Sequence, residues 1–234
     1  MRNGNLKLLE PLNRPSVADS VFDELHQQII TLRLAPGTKL SETEVARALG
    51  VSRQPVRDAF YRLSKLGFIV IRPQRATTVS TISERAVMRA RFVRTALEME
   101  TVRVACERLS TDDHAALDAL LGLQRSAMEA RDPVAFHSLD DQFHREICER
   151  AGLAFAWEII RENKAHMDRV RFLSLAFASQ DAYGDHLQVM EAIRLRDPDL
   201  AIERMRRHLS RIRDQIVRIR NENAPFFAVE SGPS

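Results

Sequence analysis

The chain has 234 residues, of which 44% are hydrophobic and 29% charged, an ordinary composition for a water-soluble globular protein. That length suits one large domain or two modest ones. No apolar run is long enough to span a bilayer, and the first residues lack the apolar segment of a secretory signal, so we expect a cytoplasmic protein without membrane partners. The two cysteines, Cys106 and Cys148, lie inside helical patterns, which predicts buried reduced thiols.

Positive charge is concentrated in the N-terminal third of the chain. Residues 1–80 hold 12 Lys and Arg against 7 Asp and Glu, whereas residues 81–234 hold 23 against 25. This asymmetry favours a nucleic-acid partner for the N-terminal part, although it does not indicate a fold.

A helix-turn-helix is predicted in the second half of this basic third. One helix covers residues 42–49 and ends at Gly50, and Ser52 can cap a second helix that continues to Leu66. The N-terminal turns of such a second helix lie against base edges in the major groove. These turns carry side chains suited to base or phosphate contacts: Arg53, Gln54 and Arg57. A solvated basic face on an ordinary helix is the alternative, but apolar residues at helical spacing allow the two helices to pack with the arginines outside.

A wing is predicted after Gly67, where the pattern changes from helical to strand-like. One short β run covers Phe68 to Ile71, and a second ends at Val79. The turn between them carries side chains suited to phosphates or to the narrow minor groove: Arg72, Gln74 and Arg75.

From Ser83 onward the pattern is helical throughout. Six helices are predicted, over about 83–109, 111–131, 134–151, 154–178, 180–196 and 199–221. Their short connections indicate a bundle, so the fold class is mainly α, with an N-terminal winged helix-turn-helix and a C-terminal all-α bundle. We expect a DNA-binding domain at 14–80 and a helical domain at 81–222, with loose segments at 1–13 and 223–234.

Ligand-type side chains recur in the helical part. Asp140 and His144 are four residues apart and project from one helix face, while His186 and His208 lie on later helices. Three imidazoles and a carboxylate converging in a bundle core would suit zinc or another first-row divalent ion. The spacing alone fits equally well with exposed or hydrogen-bonded histidines.

The N-terminal pattern closely resembles the winged helix of the GntR family of bacterial transcription regulators. The family motif LxPGxxLxExxLAxxLGVSRxPVREALxRLxxEGL is followed from Leu34 to Gly67, including LGVSR and PVR as they stand here. The resemblance assigns operator contacts to one set of residues: Ser52, Arg53, Gln54, Arg57 and the wing from Pro73 to Arg75. This chain departs from the family motif at two positions that bear on the assigned contacts. Thr43 stands where several members have a DNA-contacting arginine, and Ala76 replaces the usual wing glycine.

The C-terminal part resembles the FadR-like branch of that family, whose all-helical effector domain is called FCD. The similar segments include FVRTALEMETVRVA, DDQFHREICERAG and DHLQVMEAIRLRDPDLAIERMRRHL. The resemblance implies a divalent metal, zinc before nickel or manganese, held by four residues: Asp140, His144, His186 and His208. It also implies a small organic acid that completes the metal shell beside Arg94 and Arg171. Asp141 is an alternative to Asp140, and His137 a candidate hydrogen-bond donor to a ligand.

These expectations define a metabolite-responsive regulator rather than an enzyme. We expect a homodimeric repressor that binds a pseudo-palindromic operator in double-stranded DNA. Two alternatives are a metal-free dimerisation scaffold on a DNA-binding domain and a zinc hydrolase fused to one. The hydrolase is disfavoured because neither HExxH nor a nucleophile elbow accompanies the ligands.

Overall fold

The computed structural model describes residues 15–72 and 74–229, apart from the side chains of residues 175–177. Within these residues the chain divides into two compact units. The first comprises residues up to 29 together with 37–80, and the second comprises 30–36 together with the residues from 81 onward. The elements of the two units confirm the expected fold class of a winged helix-turn-helix and an all-helical part.

The first unit combines helices with a three-stranded antiparallel sheet. Its elements are α1 (Val17–Ile30), β1 (Lys39–Leu40), α2 (Glu42–Leu49), α3 (Arg53–Lys65), β2 (Ile69–Val70) and β3 (Thr77–Val79). Strand β3 is central, with Thr78 paired to Lys39 on one side and Val79 paired to Ile69 on the other. The helix-turn-helix and the wing are as predicted, whereas α1 and β1 are additional.

The turn between α2 and α3 follows from its residues. Gly50 has φ +66°, the left-handed region that favours glycine, and its N–H donates to the carbonyl of Arg47 at 3.3 Å. The buried face of α3 consists of Val56, Ala59, Phe60 and Leu63. Ser52 occupies the N-cap position in extended conformation, but its side chain makes no capping hydrogen bond to any described residue, so the predicted capping bond is wrong.

The second unit is a bundle of long helices. Its elements are α4 (Glu84–Arg108), α5 (Thr111–Glu129), α6 (Pro133–Arg150), α7 (Ala154–Arg194) and α8 (Pro198–Glu222). The prediction of separate helices over 154–178 and 180–196 is wrong, because α7 runs without interruption through Ser179 and Gln180. Neither residue breaks a helix, and buried residues in both halves, such as Val170 and Val189, hold α7 in hydrophobic cores.

The residues that follow α8 pack onto the bundle. A short 3₁₀ helix (Ala224–Phe226) leads to Phe227, which is only 6% exposed. Ile82 donates its N–H to the carbonyl of Phe226 at 2.7 Å and accepts from the N–H of Ala228 at 2.9 Å. The expected loose tail is therefore wrong over these residues, because the apolar Phe227 finds a buried site. Residues 1–14 and 230–234 lie outside the described part.

Both cysteines are free and buried, as predicted. Burial raises the pKa of Cys106 to about 11 and that of Cys148 to about 12, so neither thiol is ionised near neutral pH. Among the described residues, no helix is both long and apolar enough to cross a membrane.

Candidate metal centre and nucleic-acid interface

The candidate base-reading residues are exposed at the start of α3. The guanidinium groups of Arg53 and Arg57 each lie 3.4 Å from one carboxylate oxygen of Glu42, with side chains 60% and 57% exposed. Exposed ion pairs of this length contribute little stability, so DNA phosphates or bases can replace Glu42 at low cost. Gln54 donates to the carboxylate of Asp58 at 2.9 Å and is also exposed.

The wing presents its candidate residues to solvent as well. Arg72, Gln74 and Arg75 are all exposed. Gln74 has φ +56°, and the N–H of Arg75 donates to the carbonyl of Arg72 at 3.3 Å, which closes a tight turn without the usual glycine. Pro73 lies outside the described residues.

Four ligand-type side chains from three helices converge inside the second unit. They are Asp140 and His144 of α6, His186 of α7 and His208 of α8. Each offers one ligand atom, and these four atoms all lie within 4.8 Å of one another. One oxygen of Asp140 is 3.6 Å from His186 Nε2, and the other is 3.9 Å from His144 Nε2. Two ligands that bind one zinc ion at about 2.1 Å can be at most about 4.2 Å apart. Both Asp140–histidine distances satisfy this limit.

The outer nitrogen of each histidine ring faces an oxygen on a neighbouring side chain. His144 Nδ1 lies 2.6 Å from Glu98, His186 Nδ1 lies 2.8 Å from the amide oxygen of Gln124, and His208 Nδ1 lies 3.5 Å from Asp185. The contact between His186 and Gln124 is a hydrogen bond, and such a partner fixes the tautomer of a ligating histidine and leaves the opposite nitrogen for the ion. The Nδ1 atoms of His144 and His208 lie beside carboxylates but form no hydrogen bond with a described residue. Within the described residues, three inner atoms are buried without a hydrogen-bond partner: Asp140 Oδ1, His144 Nε2 and His186 Nε2. The residues therefore fit a divalent metal ion.

The electrostatics of the site favour the metal-binding protonation states. Burial alone would raise the pKa of Asp140, but the charge of Arg171 outweighs it and holds the pKa well below its usual range. Burial and the neighbouring His208 hold the pKa of His186 well below its usual range, and burial also lowers the pKa of His208. The carboxylate is therefore ionised and these two imidazoles are neutral near pH 7, which are the forms that bind metals.

The two candidate effector arginines differ in their partners. Arg94 of α4 donates to Glu98 at 2.6 Å and is 1% exposed. Arg171 of α7 donates to Asp140 through Nη2, while its Nη1 lies 3.5 Å from both Asp141 and Asp168. Both arginines line a cavity of about 50 Å³ beside Asp140 and His208. The structure thus brings the predicted arginines and two of the predicted ligands to one cavity.

Asp141 and His137, the two alternative candidates, belong to a neighbouring network that Arg171 joins to Asp140. Asp141 and Asp168 share the ammonium group of Lys164, which is 2.6 Å from Asp141 and bonded to Asp168. His137 Nε2 lies 3.8 Å from Asp168 rather than beside a ligand of the four-residue group. Asp140, and not Asp141, is the carboxylate that meets the three histidines in this geometry.

Sequence reasoning did not identify the side chains that face the outer histidine nitrogens. Glu98, Gln124 and Asp185 are buried, at 2%, 0% and 1% exposure. Buried polar residues inside otherwise apolar helix faces were the available signal, since such groups are buried only with a partner.

A winged helix-turn-helix joined to an all-helical domain is an arrangement typical of DNA-binding transcription regulators. Family models agree: "Bacterial regulatory proteins, gntR family" matches residues 17–79, and "FCD domain" matches residues 90–211. The HTH-type transcriptional repressor RspR of Escherichia coli strain K12 is 37% identical, over 92% of this chain and 95% of that protein. The uncharacterized HTH-type transcriptional regulator YdfH of Escherichia coli O6:H1 is also 37% identical, over 92% and 96%.

The solved structure of Escherichia coli McbR/YncC has the same fold, with a TM-score of 0.74 at 22% identity over 90% of this chain and 100% of that one. The chain belongs to the GntR family of bacterial regulatory proteins and carries an FCD effector domain. It is a transcription regulator and not an enzyme.

Proposed function

We propose that this protein is a homodimeric repressor that binds a pseudo-palindromic operator and senses a small organic acid through a divalent metal ion in its FCD domain. The observation that carries the sensing half is the convergence of Asp140, His144, His186 and His208, with three ligand atoms buried and unpartnered within the described residues. A buried polar group without a partner is costly, and an ion removes that cost at several atoms at once.

Zinc is the metal we propose, with nickel and manganese as alternatives. Three imidazoles and one carboxylate suit zinc, and a metal with four protein ligands in a larger coordination shell leaves room for an anion. The chain's own residues fix the geometry. Arg171 holds one oxygen of Asp140, which leaves the other oxygen facing His186.

The proposed effector is a small carboxylate, because the cavity beside Asp140 and His208 is lined by Arg94 and Arg171. Arginine recognises carboxylates by paired hydrogen bonds. Helix α4, which carries Arg94, begins at Glu84, soon after the first unit ends at Ser80. A ligand that favours one position of α4 would therefore act directly on the segment leading to the DNA-binding unit, by no more than its difference in affinity for the two states.

Exposed apolar side chains on the bundle support a second copy as partner. Phe92 of α4 is 72% exposed, and Phe155 and Ile159, one turn apart on α7, are 63% and 41% exposed. Contiguous exposed apolar groups commonly mark an interface, and Phe155 and Ile159 are such neighbours on α7. A two-fold dimer would present two copies of α3, with Ser52, Arg53, Gln54 and Arg57 at each half-site and Arg72, Gln74 and Arg75 of the wing beside it.

The test combines metal analysis with operator binding. Operator fragments are selected from random duplex DNA, and binding is measured with and without an organic acid for wild type, His208→Ala and the matched control His114→Ala. His114 lies on α5 outside the four-residue group. We expect wild type and His114→Ala to carry one metal per chain and to respond to the acid, while His208→Ala binds DNA without responding. Absence of bound metal from wild type after loading would instead support a metal-free scaffold.

A further inference from the structure

Most positive charge around the cavity is already neutralised by protein carboxylates. Arg171 contacts three acids, Asp140, Asp141 and Asp168. Arg211, which also lines the cavity, donates two hydrogen bonds to Asp185, one of them at 2.9 Å through Nη2. These two guanidinium groups are held in place by their partners and have little capacity for a further anion.

Arg94 differs from the other two in having an unused donor. Its Nε donates to Glu98, but its Nη2 is buried and has no hydrogen-bond partner among the described residues. A buried guanidinium nitrogen without an acceptor is costly, and an acceptor from a ligand in the adjoining cavity would remove that cost. Arg94 therefore provides a place for one carboxylate oxygen.

The arginine, lysine and carboxylate side chains that line the cavity, together with their ion-pair partners, can be counted. Arg94 cancels Glu98, Arg171 cancels Asp140, and Arg211 cancels Asp185. Asp141 and Asp168 share the single charge of Lys164, which leaves one negative charge. The exposed Asp181 and Arg207 add one charge of each sign. A divalent ion at the four ligands would change the balance to one positive charge, which one monoanion neutralises.

The rest of the cavity wall is unsuited to a second carboxylate. It includes Met167, Leu209 and Ile212, all at most 6% exposed, and two uncharged polar residues, Ser174 and Gln215. A second carboxylate in this space would meet apolar side chains or arginines that are already paired. A buried charge without a counter-ion is strongly unfavourable, whereas a hydroxyl group can use the serine and the amide.

We propose that the effector carries a single negative charge: a small monocarboxylic acid, with hydroxyl rather than acidic substituents, whose carboxylate is received by Arg94. This inference rests on the proposed metal-dependent acid sensing. It also gives Arg171 the role of a residue that positions Asp140, and not that of a direct effector ligand.

The test uses the full-length, zinc-loaded protein and pairs of acids that differ by one carboxylate. Glycerate is compared with tartronate, and butyrate with succinate, by titration calorimetry and by thermal shift at about pH 8, where exposed histidines are neutral. Zinc content is measured after each titration, so that removal of the ion by an acid is recognised. We expect the monoanion of at least one pair to bind about tenfold or more tightly than its dianion.

Asp141→Asn provides a test of the charge balance itself, because it removes one negative charge from the network around Lys164. We expect the preference for the monoanion to shrink by about tenfold in this variant, since the site then carries two positive charges. Asp118→Asn, at an exposed acid that pairs with Arg194 on the surface, is the matched control and should keep the wild-type preference.

Tighter binding of the dianions by wild type would overturn this inference and leave acid sensing intact. An unchanged preference in Asp141→Asn would overturn its electrostatic basis. Binding of none of the four acids by protein that retains its zinc would refute the acid-sensing proposal and this inference together.

Discussion

Removal of the proposed metal should destabilise the helical unit by an amount that depends on the affinity of the site for the metal. The perturbation is a strong chelator added to the loaded protein, compared with the variant His208→Ala. In the apo state, at least three buried ligand atoms within the described residues lose their partner: Asp140 Oδ1, His144 Nε2 and His186 Nε2. Bound metal stabilises the folded state through mass action, because the unfolded chain does not hold these four groups together.

The size of this effect follows from the affinity. At a free metal concentration of about 100 times the dissociation constant, binding contributes about 2.7 kcal/mol to the free energy of unfolding. For a chain of this size, 1 kcal/mol corresponds to a shift of about 2–4 °C in melting temperature. We therefore expect the chelator to lower the melting temperature of wild type by about 5–11 °C. His208→Ala removes a ligand that is 8% exposed, so this variant should melt low already and respond to the chelator by less than about 2 °C.

The assay is calorimetry or far-ultraviolet circular dichroism, with zinc content determined on the same samples. His114→Ala controls for loss of an imidazole elsewhere on the bundle, and its chelator response should equal that of wild type. Equal responses in wild type and His208→Ala would refute the reasoning, because the ion would then be held by other residues.

Three further predictions concern the DNA-binding helix, a helix cap and the C-terminal segment. Arg57→Ala should weaken operator binding by about 1–3 kcal/mol at fixed salt with unchanged melting temperature, measured by fluorescence anisotropy; Arg213→Ala, also exposed, is the control, and equal affinities would refute the contact. Hydrogen bonds from Ser110 and Arg150 lower the pKa of Asp113 from 3.8 to about 2, so the stability it contributes is present above pH 3.8 and is lost as the pH falls towards 2. Asp113→Asn should therefore cost about 1 kcal/mol in urea unfolding at pH 6, with the difference from wild type shrinking below pH 4; a constant difference would contradict this. Phe227→Ala should cost about 3 kcal/mol because the side chain is buried, and a change below about 0.5 kcal/mol would show that the segment is loose after all.

Structural features that depend on residues close together in sequence could be predicted from the sequence. The helix-turn-helix is one: Gly50 ends α2 in a left-handed conformation, and α3 follows with its apolar face buried. The sequence also carries a start signal for helix α1, which the sequence analysis did not predict. Ser16 and Asp19 exchange hydrogen bonds at the start of this helix, as in a capping box. Local start and stop signals are strong where a single residue determines the backbone conformation.

Structural features that depend on tertiary packing could not be predicted from local sequence patterns. Polar residues around 179–181 resemble a helix boundary, yet α7 continues because both of its halves are held in cores of the bundle. Phe227 follows a stretch without periodicity, and its buried site is made by residues such as Ile82 and Ile216, which are distant in sequence. Tertiary contacts of this kind leave no trace in a local pattern.

The candidate site shows the same division. The i, i+4 spacing of Asp140 and His144 predicted a shared face, and the structure places His186 and His208 beside it. The residues that face the outer nitrogens of the rings come from three different helices and have no common spacing: Glu98, Gln124 and Asp185. The different roles of Arg94 and Arg171 also depend on which carboxylates lie nearby, which only the folded chain determines.

The charge balance of this site links the metal and the acid in a definite order. Without an ion, the arginine, lysine and carboxylate side chains around the cavity carry one net negative charge, and Arg171 is paired with Asp140. An anion would then be repelled, so acid binding should require the metal. Because coupling between two ligands is reciprocal, an acid that binds only to the loaded site must raise the affinity for the metal by the same factor. We therefore expect the protein to respond to the acid only when it is loaded with metal, and we expect the acid to slow the loss of the ion to a chelator.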